Sequence, residues 1–344
     1  MNRIIRVFTL LALVFAFAGS ALAVDIIPSS KYITRKVNSG DFDAVRTNTS
    51  IDIIYTVGPK SIEVYAPDNL MPYIQVKLSN REISVSYKDN MNIKGKHKSY
   101  VRISAPAVKT FTSASAGDIK IKSPLSLPAQ EIKLVVMSAG DIDALSIEAK
   151  SVTLQSNSAG DITTGPIKAV TASLIANSAG DIDTGIIKTT DSARILANSA
   201  GDIDIPEIVA GNNVKVVANS AGDIDIDEIS SESAVISANS NGDIEIKTVK
   251  ATTVNCNVNS VGNVTLSGIC DSAVLSSSSL GSIKGAGLKA NSVEATTRSS
   301  GNISCWALAE LRASAGNNGK IRYLGTPGKL EIVDTRAKNV VPLD

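Results

Sequence analysis

Hydrophobic and polar positions in this 344-residue chain alternate with a second, longer period laid over the first. The segment Ser-Ala-Gly-Asp-Ile stands whole at 115–119, 138–142, 158–162, 178–182, 199–203 and 220–224, and decays at 240–244, 260–264, 279–283 and 299–303. Its glycines, from Gly117 to Gly301, are separated by 23, 20, 20, 21, 21, 20, 20, 19 and 20 residues. Counted from each glycine, position +2 is Ile119, Ile142, Ile162, Ile182, Ile203, Ile224, Ile244, Val264, Ile283 and Ile303. Position +7 runs from Ile147 through Ile167, Ile187, Ile208, Ile229, Val249, Ile269 and Leu288 to Leu308. Position −6 runs from Leu134 to Leu275, and position −8 from Ile132 to Val293. Polar residues separate these columns. Period-2 alternation predicts strands, and columns that recur coil after coil predict stacked parallel strands. A fixed period near 20 marks a solenoid, whose units bury their apolar faces only against neighbours.

The expected fold is therefore all-β: a parallel β-helix of about ten coils, roughly 50 Å long at the ~4.8 Å strand spacing. Parallel crossovers are nearly all right-handed, which sets the expected hand. The six-residue triangular period usual in left-handed β-helices is absent. Each repeat glycine is expected at a positive φ or a tight corner.

Outside the repeat, residues 1–23 read as a signal peptide. Arg3 and Arg6 precede the apolar run 4–18, and Ala21-Leu22-Ala23 is a small-residue cleavage site. An uncleaved anchor is the alternative, although the run is short for a membrane span. No second apolar run follows, so no transmembrane segment is expected after signal removal. Residues 24–112 read as an N-terminal β cap, with strands at 50–55, 61–65, 73–78, 82–87 and 100–104 and a basic loop at 88–98. The repeats occupy 113–324, and 325–344 form a C-terminal cap or tail in which 330–333 is a closing strand.

Composition narrows the function classes. Without residues 1–23 the chain has 32 Lys+Arg against 33 Asp+Glu, a balance that argues against nucleic acid or a polybasic membrane contact. Of the three cysteines, Cys256 and Cys305 fall at core phases of the repeat, while Cys270 falls in the lysine column at +8 and is expected to face solvent. Three free thiols fit this phasing; a Cys256–Cys270 bridge is the alternative.

Three ladders carry candidate chemistry. Asp118, Asp141, Asp161, Asp181, Asp202, Asp223 and Asp243 follow the glycines, and Asp143, Asp183, Asp204, Asp225 and Glu245 stand two residues further on. Stacking places these like charges ~5 Å apart, which is unfavourable unless they are solvated or countered. Three roles compete. Each Asp caps its own turn, or the pairs bracket calcium, or they act as catalytic acids. The calcium candidates are Asp181, Asp183, Asp202, Asp204, Asp223 and Asp225; no other cofactor is expected. Asn157, Asn177, Asn198, Asn219, Asn239 and Asn259 form a third column, suited to amide hydrogen bonds between coils and, as the lesser alternative, to sugar contact. The single histidine, His97, lies in a polar segment and is expected to be exposed. No GxSxG, CxxC, HExxH or phosphate-loop motif is present. In a β-helix enzyme the acids break the regularity of one coil; here they are the regularity, which points to a repeating surface rather than a pocket.

The chain resembles the bacterial family described as putative auto-transporter adhesin, head GIN domain. The resemblance rests on Phe42, Val45, Ile51-Asp52-Ile53, Gly58, Ile62, Val64 and Ala66-Pro67-Asp68-Asn69-Leu70, on the Gly-Asp-Ile turns, and on Tyr323, Gly325 and Pro327. It implies a β-helix similar to pectin-lyase-like folds but without their catalytic residues, and a role in cell adhesion. No C-terminal membrane barrel is read in the sequence, so self-translocation is not expected. The resulting expectation is an exported, non-enzymatic binding module in the periplasm, at the outer-membrane surface or outside the cell. Its partner would be a surface ligand such as a glycan or another envelope component, and homo-oligomerisation stays open. A carbohydrate-active β-helix lyase or hydrolase, and a purely structural envelope protein, are the alternatives.

Overall fold

The computed structural model describes residues 24–316, 318–333 and 337–343; the signal-peptide expectation for 1–23 lies outside them. The fold is an all-β solenoid of about 11 turns, 67% strand and, among the described residues, without α-helix. In the early coils a short strand such as Ile182–Thr184 follows the Gly-Asp turn and a long one such as Ile187–Ala197 completes the circuit. From residue 224 the two merge into continuous bent strands, Ile224–Ser240 and Ile244–Ser260 among them.

The +2 column is the spine of the core. Ile162 registers with Ile182, Ile182 with Ile203, Ile203 with Ile224 and Ile224 with Ile244, all in parallel. Its members from Ile119 to Ile303 are at most 1% exposed, and the −6 and −8 columns are buried with them. The alternation forces this outcome: one strand face is apolar in every coil, and only stacking removes that face from water.

The stack does not begin at residue 113. Ala44–Thr47 pairs in parallel with Thr110–Ser113, and Asp52–Val57 pairs in parallel with Ile119–Ile121, so Ile53 stands in the same column as Ile119. Glu82–Tyr87 and Tyr100–Ala105 add a further parallel layer. Beyond them the direction reverses. Ile74–Ser79 runs antiparallel on Glu82–Tyr87, and Ser61–Pro67 runs antiparallel on Tyr100–Ala105 and carries Tyr32–Lys36. These hairpins cover the parallel edge, as a solenoid end requires. Within 88–98, expected as loop, Met91–Ile93 forms a strand paired with Val24–Ile26. At the other end Lys320–Leu324, Lys329–Ile332 and Val340–Pro342 close the stack.

Several expectations need correction. The repeat glycines do not take positive φ. That backbone falls two residues earlier, at Ser178, Ser199, Ser220, Ser240 and Ser260, with φ between 61 and 89°. The glycines serve the tight corner instead: a Cβ on Gly160 would lie 2.5 Å from the carbonyl oxygen of Gly140 in the preceding coil. Cys270 is buried, at 8% exposure, whereas Ile269 is 58% exposed. The coil from Gly262 to Gly281 is one residue short. The deletion sits before Gly268, which therefore registers with Val249 and moves Ile269 opposite Lys250 and Cys270 opposite Ala251. Leu308 is likewise outside, 47% exposed, because a register shift between Ala290 and Ser292 loops it away from the core. All three thiols are free and buried.

Candidate binding face

Two acidic columns flank the +2 isoleucines, and the structure gives them different roles. In the first, the Asp141 amide donates to Asp118 Oδ1 at 3.1 Å, and the Asp161, Asp181, Asp202, Asp223 and Asp243 amides each donate to the preceding Asp at 3.0 Å. Asp52 begins the series by accepting from the Asp118 amide, and Asn263 ends it by donating its own amide to Asp243 at 2.7 Å. Each carboxylate thus caps the next coil's turn rather than its own. A short acceptor beside the tight glycine corner is what reaches that N–H, so Asp recurs there. Burial raises the Asp52 carboxyl above its ordinary pKa, although the Asp118 amide works the other way.

The second column has no such partners. Asp183, Asp204, Asp225 and Glu245 register one above another on four consecutive coils. Burial first, and then the neighbouring carboxylates, push the pKa values of Asp183, Asp204 and Asp225 upward. Lys120 faces Asp143 at 3.7 Å at the lower end, and Lys247 pairs with Asp227 at 2.7 Å beside the upper one. Between them the face is a comb of carboxylate acceptors about 4.8 Å apart.

The asparagine column is a hydrogen-bond ladder. Nδ2 of Asn177, Asn198, Asn219, Asn239 and Asn259 each donates to the Oδ1 of the preceding Asn, at 2.7–2.9 Å. A buried column that went unnoticed in the sequence supports the same corner: Ser113, Ser156 and Ser277 Oγ donate to the carbonyl oxygens of Gly117, Gly160 and Gly281. The recurrence of small residues four before the glycine was its signal.

Other chemistry is sparse. Among the described residues no group of three or more His, Cys, Asp or Glu is placed to hold a metal ion; Asp181, Asp183, Asp202, Asp204, Asp223 and Asp225 stand in two columns rather than around a point. His97 is half-buried, not exposed, and shares a 3.0 Å hydrogen bond with the Tyr87 hydroxyl. A cleft of about 540 Å³ near the N-terminal end has charged walls. Its charges pair with one another: Lys60 with Asp41 at 2.8 Å, and Arg81 and Lys109 with Asp43 at 3.1 and 3.5 Å.

The entry strands at 44–57 and the coils that follow fall within a family match that spans residues 41–226 and 207–327, described as putative auto-transporter adhesin, head GIN domain. The chain belongs to this family. Among solved structures, this family member is similar to a putative adhesin from Bacteroides fragilis, with 21% identity over 92% of this chain and all of that one, at a TM-score of 0.27. A putative adhesin from Parabacteroides distasonis is 14% identical over 90% of this chain and all of its own, at a TM-score of 0.43. A putative lipid binding protein from the same species is 14% identical over 93% of this chain and all of its own, at a TM-score of 0.27. These scores are too low to transfer a ligand. No curated protein matches the chain. Among the described residues no helix is long and apolar enough to cross a membrane.

Proposed function

We propose that this adhesin-family chain is an exported, non-enzymatic binding module that presents its acidic comb to a glycan or another polymer of the cell envelope. The observation that carries this reading is the Asp183–Asp204–Asp225–Glu245 row, which registers on four consecutive coils with no ion pair to any of its members among the described residues; Lys247, paired with Asp227, is the nearby cation and acts on Asp225 from its upper end. Carboxylates accept from hydroxyl and ammonium groups, and a spacing repeated over four coils suits a ligand that itself repeats. The first acidic column is spent on turn amides, which leaves this second row as the chemically available one. Export is supported by the signal-peptide pattern at 1–23, and the non-enzymatic reading by acids that are regular rather than clustered around one bond.

The test is binding of the purified protein to arrayed glycans and envelope polymers, with and without calcium, with product analysis of every hit. Saturable binding with the polymer left intact is expected. Cleavage of any hit would overturn the reading in favour of a carbohydrate-active enzyme, and absence of binding would favour a purely structural role.

A further inference from the structure

The uneven glycine spacing shapes a second surface, away from the acidic comb. The intervals from Gly117 onward are 23, 20, 20, 21 and 21 residues. Most of the extra residues collect at the corner after the +7 column; one of the three in the first coil is taken up earlier, between Ile121 and Leu125. At that corner register shifts between Leu127 and Glu131, and again between Ala169 and Thr171. The longer coils therefore bulge at Pro128 on one side and at Thr190 on the other, and the 20-residue coils between them are recessed. The result is a groove of about 300 Å³ whose walls are mainly apolar, formed by Pro128, Ala149, Ala169, Val170 and Val209. Val170 is 42% exposed within it.

The rim carries charge. Lys168 Nζ donates to Glu148 Oε1 at 2.8 Å, and Ser126 Oγ donates to Glu148 Oε2 at 3.2 Å, so that pair is internally neutral. Lys188, on the same rim, has no ion-pair partner among the described residues. One uncompensated cation above an apolar floor is complementary to an anion that carries a hydrocarbon chain. We propose that this groove binds a single-chain anionic amphiphile, with the alkyl chain along Ala149, Ala169 and Val170 and the anionic head at Lys188. The acidic comb lies in other columns of the coil, so this inference does not rest on the adhesin-like reading, and either can fail alone.

The experiment is calorimetric titration of the purified protein with dodecanoate below its micelle-forming concentration. It is repeated with octanoate and decanoate, and with dodecyltrimethylammonium as the cationic counterpart. One saturable site is expected, with affinity rising about two- to fourfold per methylene as chain enters the groove. Val170→Glu should weaken dodecanoate at least tenfold. Lys188→Glu should weaken dodecanoate severalfold without weakening the cation. Both positions face solvent, and unchanged thermal melts of the variants would establish that they fold. Neutralising the acidic comb should leave dodecanoate binding as it was. Absence of a saturable site, indifference to Val170→Glu, or a preference for the cationic chain would each overturn the proposal, as would a neutral oligosaccharide or peptide found in the groove instead.

Discussion

Asp202 and Asp204 stand two residues apart on one strand face, yet removing them should shift stability in opposite directions. Asp202 Oδ1 accepts the Asp223 amide at 3.0 Å. Asp202→Ala removes a charge-assisted hydrogen bond at a partly solvated corner, a loss of about 1 kcal/mol. Asp204 has no such bond and registers between Asp183 and Asp225. At the ~4.8 Å strand spacing and the dielectric constant of water, each neighbour costs about 0.9 kcal/mol before screening. Exposure and salt screening reduce the total to roughly 0.5–1 kcal/mol, which Asp204→Asn should recover at pH 7 and low salt. The sign with pH follows from the raised carboxyl. The folded state holds the Asp204 proton more tightly than the unfolded chain does, so stability falls as pH rises from the ordinary value of 3.8 through the folded pKa. The gain from Asp204→Asn is therefore full at neutral pH, shrinks as pH drops through that window, and vanishes below it. Urea titrations of the wild type and both variants at pH 7 and pH 3, at low and high salt, provide the assay. Equal signs for the two variants, or an Asp204→Asn gain that persists at pH 3, would refute the assignment of roles to the two columns.

Gly160→Ala should cost at least about 1–3 kcal/mol, because its new Cβ would meet the Gly140 carbonyl oxygen at 2.5 Å and Val136 Cγ1 at 2.7 Å, and backbone must move; urea denaturation measures it. Ile224→Ala, in the middle of the fully buried +2 column, should cost roughly 2–5 kcal/mol by the same method. Burial pushes the Cys270 and Cys305 thiols up to about 11 and about 12, and pushes Cys256 higher still. A thiol reagent at pH 8 should therefore label none of the three in the folded protein and all of them in denaturant. Rapid labelling of Cys270 in the native state would return it to the surface position that its phase in the repeat suggested.

How much of this was legible in the sequence depended on whether a residue's role was set by period or by register. The +2, −6 and −8 columns were readable because two fixed periods determine which side chains point inward. The same arithmetic failed at Cys270, Ile269 and Leu308. A coil length tells that a residue is missing or extra, but not at which corner the backbone takes it up. The coil at 44–57 was hidden by one residue: Ile51 stands where later coils have glycine, although Asp52-Ile53 preserves the Asp-Ile that follows. Glycine is needed at Gly117 because the Ile51 carbonyl oxygen would lie 2.5 Å from its Cβ. Ile51 itself lies next to the closing layer, where the repeat corner has not yet begun. The two acidic columns were equivalent in the alternation, since both sit outward on either side of an isoleucine. Only the position of the neighbouring coil's amide separates the capping row from the free one. The groove at Val170 and Lys188 was present in the glycine intervals, but only the placement of the bulges turns those intervals into walls.

The central claim is that the free acidic row is a repeating binding surface. Its most direct measurement is the affinity of the strongest arrayed polymer for wild type, for Asp204→Asn, and for the variant that combines Asp143→Asn, Asp183→Asn, Asp204→Asn, Asp225→Asn and Glu245→Gln. A repeating surface predicts a loss of about twofold or less for the single change and abolished binding for the combined one. Abolition by Asp204→Asn alone would mean a unique site, and full binding by the combined variant would place the ligand on another face.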